Sequence, residues 1–409
     1  MQGKNFQARL PLEGVRVVVL GQAIAGPMTG RLLANYGAEV IRVEWSGHLD
    51  RLRHALPSKR SKRDVNSSAR WPQYNAGVKS IGLDLRLAAA RQAFLDLVHE
   101  ADVLIFNFAA HVMPSLGLDP DAMLRANPKL VIALLTLFGE GRYREQPGLG
   151  DGLSAYTGFY WLTGWPDASP LLPQGPYTDY IAPALTATSI IAALEEIDAG
   201  GDGRILDISE LEFGSWFLMP EVIASQLSSG SPIRNGFYGN GPGLSVVVPA
   251  KGEDRWCTIT VERDEQWVAL CNVLGRQELA FDPQYRGNSE RFVNRDLLVA
   301  VISCWSASRD REEIQAALRD AGILAIPVAD ARDVQDDPML AARDHWIELD
   351  RCDNGRPVVI DQFPMRFTQF SAQTNPAPDF SEHAHQVLKE VLRYSDERIA
   401  DLVRSGAVE

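Results

Sequence analysis

One charged residue stands near the head of a long apolar stretch, GPYTDYIAPALTATSIIAALEE from Gly175 to Glu196, and it is Asp179. From Ala184 onward, Leu185, Ile190, Ile191, Ala193 and Leu194 predict a largely buried helix, so a carboxylate sits where a helix begins. Aspartate in such a place can cap orphan N–H groups and complement the positive end of the dipole. It can equally be a nucleophile. A carboxylate with an unperturbed pKa near ~3.9 is ionised at neutral pH and needs no base before it attacks an activated acyl carbon. The stretch alone leaves both roles open.

Three other segments carry residues with chemical potential. Residues 45–74 look irregular and hold Arg51, Arg53, His54, Lys59, Arg60, Lys62 and Arg63. In an acidic chain this is either a solvated loop or a phosphate-binding one, because Lys and Arg are the usual partners of phosphate oxygens. Gly21, Gly26 and Gly30 are spaced GxxxxGxxxG rather than GxGxxG, which gives little support to NAD or FAD. Ser228 to Leu244 reads SSGSPIRNGFYGNGPGL. It is a linker or a mobile flap able to bring backbone up to a ligand.

Composition narrows the classes. The 409 residues are 45% hydrophobic and 23% charged, with a net charge of −13. That acidity argues against a general nucleic-acid binder. No apolar run approaches the roughly 18 residues of a membrane span, and MQGKNFQARLPLEG lacks a signal-peptide core. A cytoplasmic enzyme without a membrane partner is expected. The four cysteines lie far apart, with neither metal-site nor redox-motif spacing.

The elements that must position Asp179 alternate strand and helix. Val15 to Leu20 predicts a buried parallel strand, Pro27 to Tyr36 a helix, and Glu39 to Val43 a second strand. The pattern resumes with strands at Lys79–Leu83, Val103–Phe106 and Leu130–Leu135, and helices at Ala88–Glu100 and Pro120–Ala126. An α/β fold follows, with a mostly parallel sheet covered by helices and its site beyond the strand ends. Residues 139–178, rich in Gly, Pro, Tyr and Trp, predict a loop-rich pocket wall in which Phe159, Tyr160, Trp161 and Trp165 are either packing or a hint of a bulky acid. Then come strand Ile205–Ile208 and helix Leu211–Gln226. A smaller α+β unit has strands at Ser245–Pro249 and Trp256–Val261 and helices at Asp264–Leu274, Arg295–Ser306 and Arg311–Ala321. Two helical segments, broken near Tyr394, end the chain.

In order and spacing, these blocks resemble the class III CoA-transferase family, of the CaiB/BaiF type, over nearly the whole chain. LEGVRVVVLGQAIAGP followed by GAEVIRVE is similar to its first βαβ unit, NAGVKSIGLDL to its NR-K-S-LDL signature, and ADVLIFNF to its ADV-ENF segment. DGRILDISELE, DEQWVALCNVLG, AGILAIPVADARDVQDDP and the final EHAHQVLKEVLRYSDERIADLVRSG resemble its later blocks.

The resemblance implies that Asp179 is the catalytic aspartate, which attacks an acyl-CoA thioester to give an aspartyl acyl anhydride before an acceptor carboxylic acid takes the activated group. It implies CoA contacts at Ala25, Asn75, Lys79, Arg86, Asn107, Phe108 and Gly139, and a protective flap at Gly239, Gly241 and Gly243. Acyl-CoA and a carboxylic acid are then the substrates, with no permanent cofactor or metal. The chain departs from the family pattern at Trp45, Ala109, Ala110 and Ser115, where CoA-binding residues are usual. The implied architecture is a Rossmann-like large domain from 1–227 and 327–409, a small domain at 228–326, and an interlocked homodimer or a heteromer with a homologous subunit. Two alternatives share the resemblance. One is an α-methylacyl-CoA racemase-like isomerase, which needs a second acid–base group; there is no histidine between Arg142 and Asp179, and Asp151 is the nearest substitute. The other is a non-catalytic partner subunit.

Overall fold

The computed structural model describes residues 9–55, 65–68, 70–227, 234, 236, 243–353, 356–368 and 374–409. Its main sheet has six parallel strands in the order β3-β2-β1-β4-β5-β6: β1 Arg16–Leu20, β2 Glu39–Glu44, β3 Lys79–Gly82, β4 Val103–Phe106, β5 Val131–Thr136 and β6 Arg204–Ser209. The central strands β1 and β4 are covered on both faces and therefore read as nearly unbroken apolar runs. In β4 every residue is buried. Val18 pairs with Ile41 on one side and Leu104 on the other, which sets the register at the centre of the sheet.

Alternate residues feed two cores. Val18, Ile41, Leu104 and Ile132 pack with Phe94 and Leu97 of helix Ala88–His99, and with Val387, Leu388 and Leu402 from the end of the chain. Val17, Val40, Ile105 and Ala133 pack with Leu33 of helix Ala25–Asn35, and with Ala182, Ala187 and Ile190 of the central helix, Tyr177–Asp198. The C-terminus is tied into the first core by backbone hydrogen bonds, Glu409 N–H to Gly82 O at 3.1 Å and His383 N–H to Ser80 O at 2.9 Å.

The chain forms two compact units. The first holds Met1–Gly158, Gln174–Ile223 and Ala341–Glu409; the second holds Phe159–Pro173 and Ala224–Leu340. The second therefore takes in more than the 228–326 that the family resemblance implied. Two contacts explain its reach toward residue 340: β9, Leu324–Pro327, adds an antiparallel strand to β8, and Arg311 pairs with Asp333 at 2.8 Å. Its sheet is β7-β8-β9, with β7 Leu244–Pro249 and β8 Trp256–Val261, and Val246, Val248 and Ile259 on its buried face. In the first unit, β10 Trp346–Asp353 and β11 Arg356–Asp361 make a separate antiparallel pair.

Three local readings change. The helix expected over Leu211–Gln226 is two, Glu210–Phe217 and Met219–Leu227, because Pro220 has no N–H to give to Trp216 O. Residues 139–178, expected as loop, contain helices Gly150–Tyr156 and Phe159–Leu162. The central helix starts at Tyr177 and runs through Pro183, so that Asp179 lies inside its first turn and Pro176 is the cap. At 22 residues this helix is long and apolar enough, by composition, to cross a membrane, which corrects the expectation that no segment would be. Its buried residues pack against the sheet, as a core helix does.

Candidate active site

In an open parallel sheet the crevice lies beyond the carboxyl ends of the strands, where the strand order reverses. Here that point is between β1 and β4. The chain leaves β1 through Gly21, Gln22 and Ala23, the last in the left-handed region at φ 59°. Asn107, just past β4, stitches this turn: its Oδ1 accepts from Gln22 N–H at 2.8 Å and its Nδ2 donates to Gln22 O at 2.9 Å. A β-carbon at Gly21 would come within 2.1 Å of Asn107 Oδ1, and one at Gly26 within 2.7 Å. These two glycines therefore make room for an amide clamp.

Two cavities adjoin along this crevice, sharing Gln22, His48, Phe108 and Val112. The larger, about 360 Å³, is mainly apolar and lined by Trp45, Leu83, Arg86 and Leu116 among others. Arg86 lies 3.9 Å over the Trp45 ring and pairs with Asp84 at 2.7 Å. The other, about 310 Å³, is lined by Ala25, Asn107, Phe108, Gly150, Asp179 and Glu210, and carries Arg51 and His111 as well.

Asp179 is only 8% exposed. Gly150 makes that position possible, since a β-carbon there would come within 1.8 Å of Asp179 Oδ1. Burial raises the Asp179 pKa to about 6; a hydrogen bond with Glu210 opposes the rise, the nearby charge of Asp151 adds to it, and the Thr178 hydroxyl again opposes it. Burial and the Asp179 charge push Glu210 well above the ordinary carboxylate range. Burial and mutual repulsion thus make the pair harder to charge twice than two separate carboxyls, and Glu210 is the one more strongly held in its neutral form.

The other expected site residues separate into groups. Ala25, Asn107 and Phe108 line the smaller cavity, and Arg86 and Phe108 the larger. Asn75 and Lys79 line neither. Asn75 is fully buried, accepts from Arg42 and donates to Trp71 O at 3.0 Å, while Lys79 pairs with Glu39 at 2.7 Å. Gly139 turns the chain after β5 at φ 65°, next to Phe138 on the cavity wall. Gly243 packs against β8, where a β-carbon would meet Val261 O at 2.3 Å; Gly239 and Gly241 lie outside the described residues. Within the basic segment, Arg51 reaches the cavity. Arg53 is buried, holding Glu44 at 2.8 and 2.7 Å and stacking 3.6 Å over Trp71, so it belongs to the scaffold. Lys59, Arg60, Lys62 and Arg63 lie outside the described residues. The aromatic run belongs to the second unit, where Arg234 stacks on Trp161.

Sequence reasoning missed Glu210, Gly150 and Gln22. An acid directly after Ser209 looks like an ordinary helix start, and Ser209 does cap that helix through Glu212 N–H at 3.3 Å. A cue lay in the doubling: Glu210 and Glu212 both crowd the first turn, and only Glu212 is exposed.

A model of CoA-transferase family III matches residues 12–384. The chain belongs to this family. It is 29% identical over 396 residues to the probable CoA-transferase Rv1866 of Mycobacterium tuberculosis, covering 93% of this chain and 48% of that protein, so it spans about half that relative's length. It is 28% identical over 408 residues to the succinyl-CoA–L-malate CoA-transferase alpha subunit of Chloroflexus aurantiacus, covering 97% of this chain and 92% of that one. The crystal structure of a CaiB/BaiF family protein from Brucella suis matches it with a TM-score of 0.83 and 29% identity, over 94% of this chain and 100% of that one. As a family III CoA-transferase the enzyme works on CoA thioesters, and the crevice between β1 and β4 is its candidate active site.

Proposed function

We propose that this enzyme moves CoA from an acyl-CoA to a carboxylic acid through an aspartyl acyl anhydride on Asp179. The observation that carries the reading is a nearly buried carboxyl in the first turn of the central helix, opening onto a cavity beside a second, apolar one. In a dry setting a carboxylate loses the hydration that blunts it in water. Its oxygen attacks the thioester carbon, the C–S bond breaks, and the electron pair leaves on the CoA sulfur. The thiolate then attacks the Asp179 carbonyl of the anhydride and the donor acid departs. The acceptor carboxylate repeats these steps in reverse, so it leaves as the new thioester and acyl potential is kept without ATP.

The apolar cavity between Trp45, Arg86 and Phe108 suits a flat heteroaromatic ring, with Arg86 and Arg51 as phosphate partners. Asn107 and Ala25 shape the floor, Gly139 turns the chain beside the wall, and Asn75 holds Arg42 from behind, whereas Lys79 stands at the amino end of β3, paired with Glu39. Gly239, Gly241 and Gly243 are assigned to a flap that keeps water from the anhydride. The succinyl-CoA transferase relative makes a short dicarboxylic acid a reasonable first acceptor to test. Since that relative is named an alpha subunit, assembly is proposed as a homodimer, interlocked as in the family, or a heteromer with a homologous chain.

The test is Asp179→Ala. Exchange of CoA between a panel of acyl-CoA donors and carboxylic acids should vanish while circular dichroism is unchanged, and hydroxylamine should trap an acyl hydroxamate on Asp179 only in the unaltered enzyme. Normal turnover by the variant removes the nucleophile. Solvent deuterium at the α-carbon would instead mark racemase chemistry.

A further inference from the structure

Glu210 opens an eight-residue helix, yet it is turned inward and only 3% exposed. An acid at such a position ordinarily faces water and complements the dipole from outside. Glu210 instead lines the cavity that Asp179 lines, and the two carboxyls are hydrogen-bond partners. Each has a buried oxygen with no donor among the described residues, Oδ1 of Asp179 and Oε2 of Glu210. Among the described residues no Lys or Arg forms an ion pair with either one. Two touching carboxyls without a counter-ion cannot both be charged; one proton between them resolves both the repulsion and the missing donor.

We infer that Glu210 is a positioning residue for Asp179: its protonated carboxyl donates to the Asp179 carboxylate, fixing that group's rotation and leaving one oxygen free to attack. This rests on the assignment of Asp179 as nucleophile. In the attack a C–O bond forms from Asp179 to the thioester carbon, the C–S bond breaks, and the electron pair departs on sulfur. The Glu210 proton stays in place. It donates first to a carboxylate and then to the oxygen of the resulting anhydride, so no proton need be found or lost in a closed site.

The proton's place follows from the surroundings. Glu210 is the more deeply buried of the two, while Asp179 lies in the first turn of the longer central helix and has the Thr178 hydroxyl as a second partner. The other ionisable groups facing the pair and its cavity are Asp151 from helix Gly150–Tyr156, Tyr74 and Tyr180, and His48, Arg51, His111 and Arg144 on the cavity wall. Arg144 is engaged with Glu140 at 2.6 Å, and His111 with Glu145 at 3.0 Å. None of these is a partner that neutralises the pair.

The experiment compares Glu210→Gln, which keeps a donor but cannot ionise, with Glu210→Met, which keeps volume and loses the donor. Glu210→Gln should retain kcat within roughly tenfold and keep the acid limb of its pH profile while losing the alkaline limb. Glu210→Met should lose roughly 10²-fold in kcat with little change in KM, the cost of a misplaced reacting group, and its acid limb should move upward, because Asp179 loses a hydrogen bond that favours its charge. An infrared difference spectrum between the unaltered enzyme and Glu210→Gln at neutral pH should show the carbonyl stretch of a neutral carboxyl. That readout needs no turnover and stands even if Glu210→Met fails to fold. Absence of the neutral-carboxyl band, or a Glu210→Met enzyme with unaltered kcat and pH profile, overturns the inference. If Asp179→Ala retained exchange while the band was present, the nucleophile assignment would fall and the shared proton would remain.

Discussion

Gly150 and Asp179 are packed so closely that a single added carbon on the glycine would overlap a carboxylate oxygen, at 1.8 Å from Oδ1 and 2.5 Å from Cγ. The same carbon would also meet Pro176 at 2.6 Å, so the helix start has no slack on that side. Gly150→Ala should therefore swing the carboxylate away from Glu210. The expected result is a loss of roughly 10²-fold in kcat, with a melting temperature that moves by only a few degrees. Steady-state kinetics beside a thermal melt checks it.

Asp179 also sets a pH dependence of stability. Its folded pKa is raised, first of all by burial, from 3.8 to about 6. The charge therefore destabilises the fold above that value, and stability from this group is fully present below about pH 4 and lost as pH rises through 6. Asp179→Asn removes the titration. Relative to the unaltered protein it should be more stable at pH 7 by up to about 3 kcal/mol, at ~1.4 kcal/mol for each tenfold difference in proton affinity between the folded and unfolded chain. The difference should close by pH 4. Urea unfolding of both proteins between pH 4 and 8 measures it.

Arg51 and Arg53, neighbours on one short turn, should behave in opposite ways. Arg53 holds Glu44 in the interior, and burial disfavours the Glu44 charge less than Arg53, Arg42 and Ser80 together favour it, so its pKa falls below the ordinary value. Arg53→Met strands that charge and should destabilise by about 3–5 kcal/mol at neutral pH. Because a depressed carboxylate pKa stabilises above the unfolded value, the difference should shrink as the solution is acidified. Arg51→Ala should leave stability within about 0.5 kcal/mol and raise KM for acyl-CoA. Equal effects from the two would show that the division is misdrawn.

The turn after β1 depends on the amide of Asn107 having a donor and an acceptor in fixed places. Asn107→Asp turns the donor into a second acceptor facing Gln22 O. It should cost about 1–3 kcal/mol and weaken acyl-CoA binding as the turn relaxes, which calorimetric titration with CoA and chemical unfolding can measure together.

What was legible in the sequence follows from what is local. The central parallel strands were readable because burial on both faces forces continuous runs such as VLIF, and the two strands and three helices of the smaller unit were readable from alternation and periodicity. β9, Leu324–Pro327, was not: four residues with Leu324 and Ile326 exposed give no pattern until β8 lies beside them. Asp179 announced itself as the lone charge before an apolar helix. Glu210, Arg53 and Gly150 did not, because each owes its role to contacts that the local pattern does not encode. An inward glutamate, a buried arginine and a glycine pressed on a carboxylate look in sequence like a helix start, a basic loop and a turn.

The proline in the central helix has a consequence for how this protein can vary. Pro183 has no N–H to give to the carbonyl of Asp179, four residues before it, so one rung between the opening turn and the remainder of the rod is missing. Beyond it the helix packs Ala187, Ile190 and Ala193 against the sheet, whereas the turn before it carries Asp179. A change that reshapes the surroundings of that carboxyl can thus be absorbed ahead of residue 183 without disturbing the packing behind it.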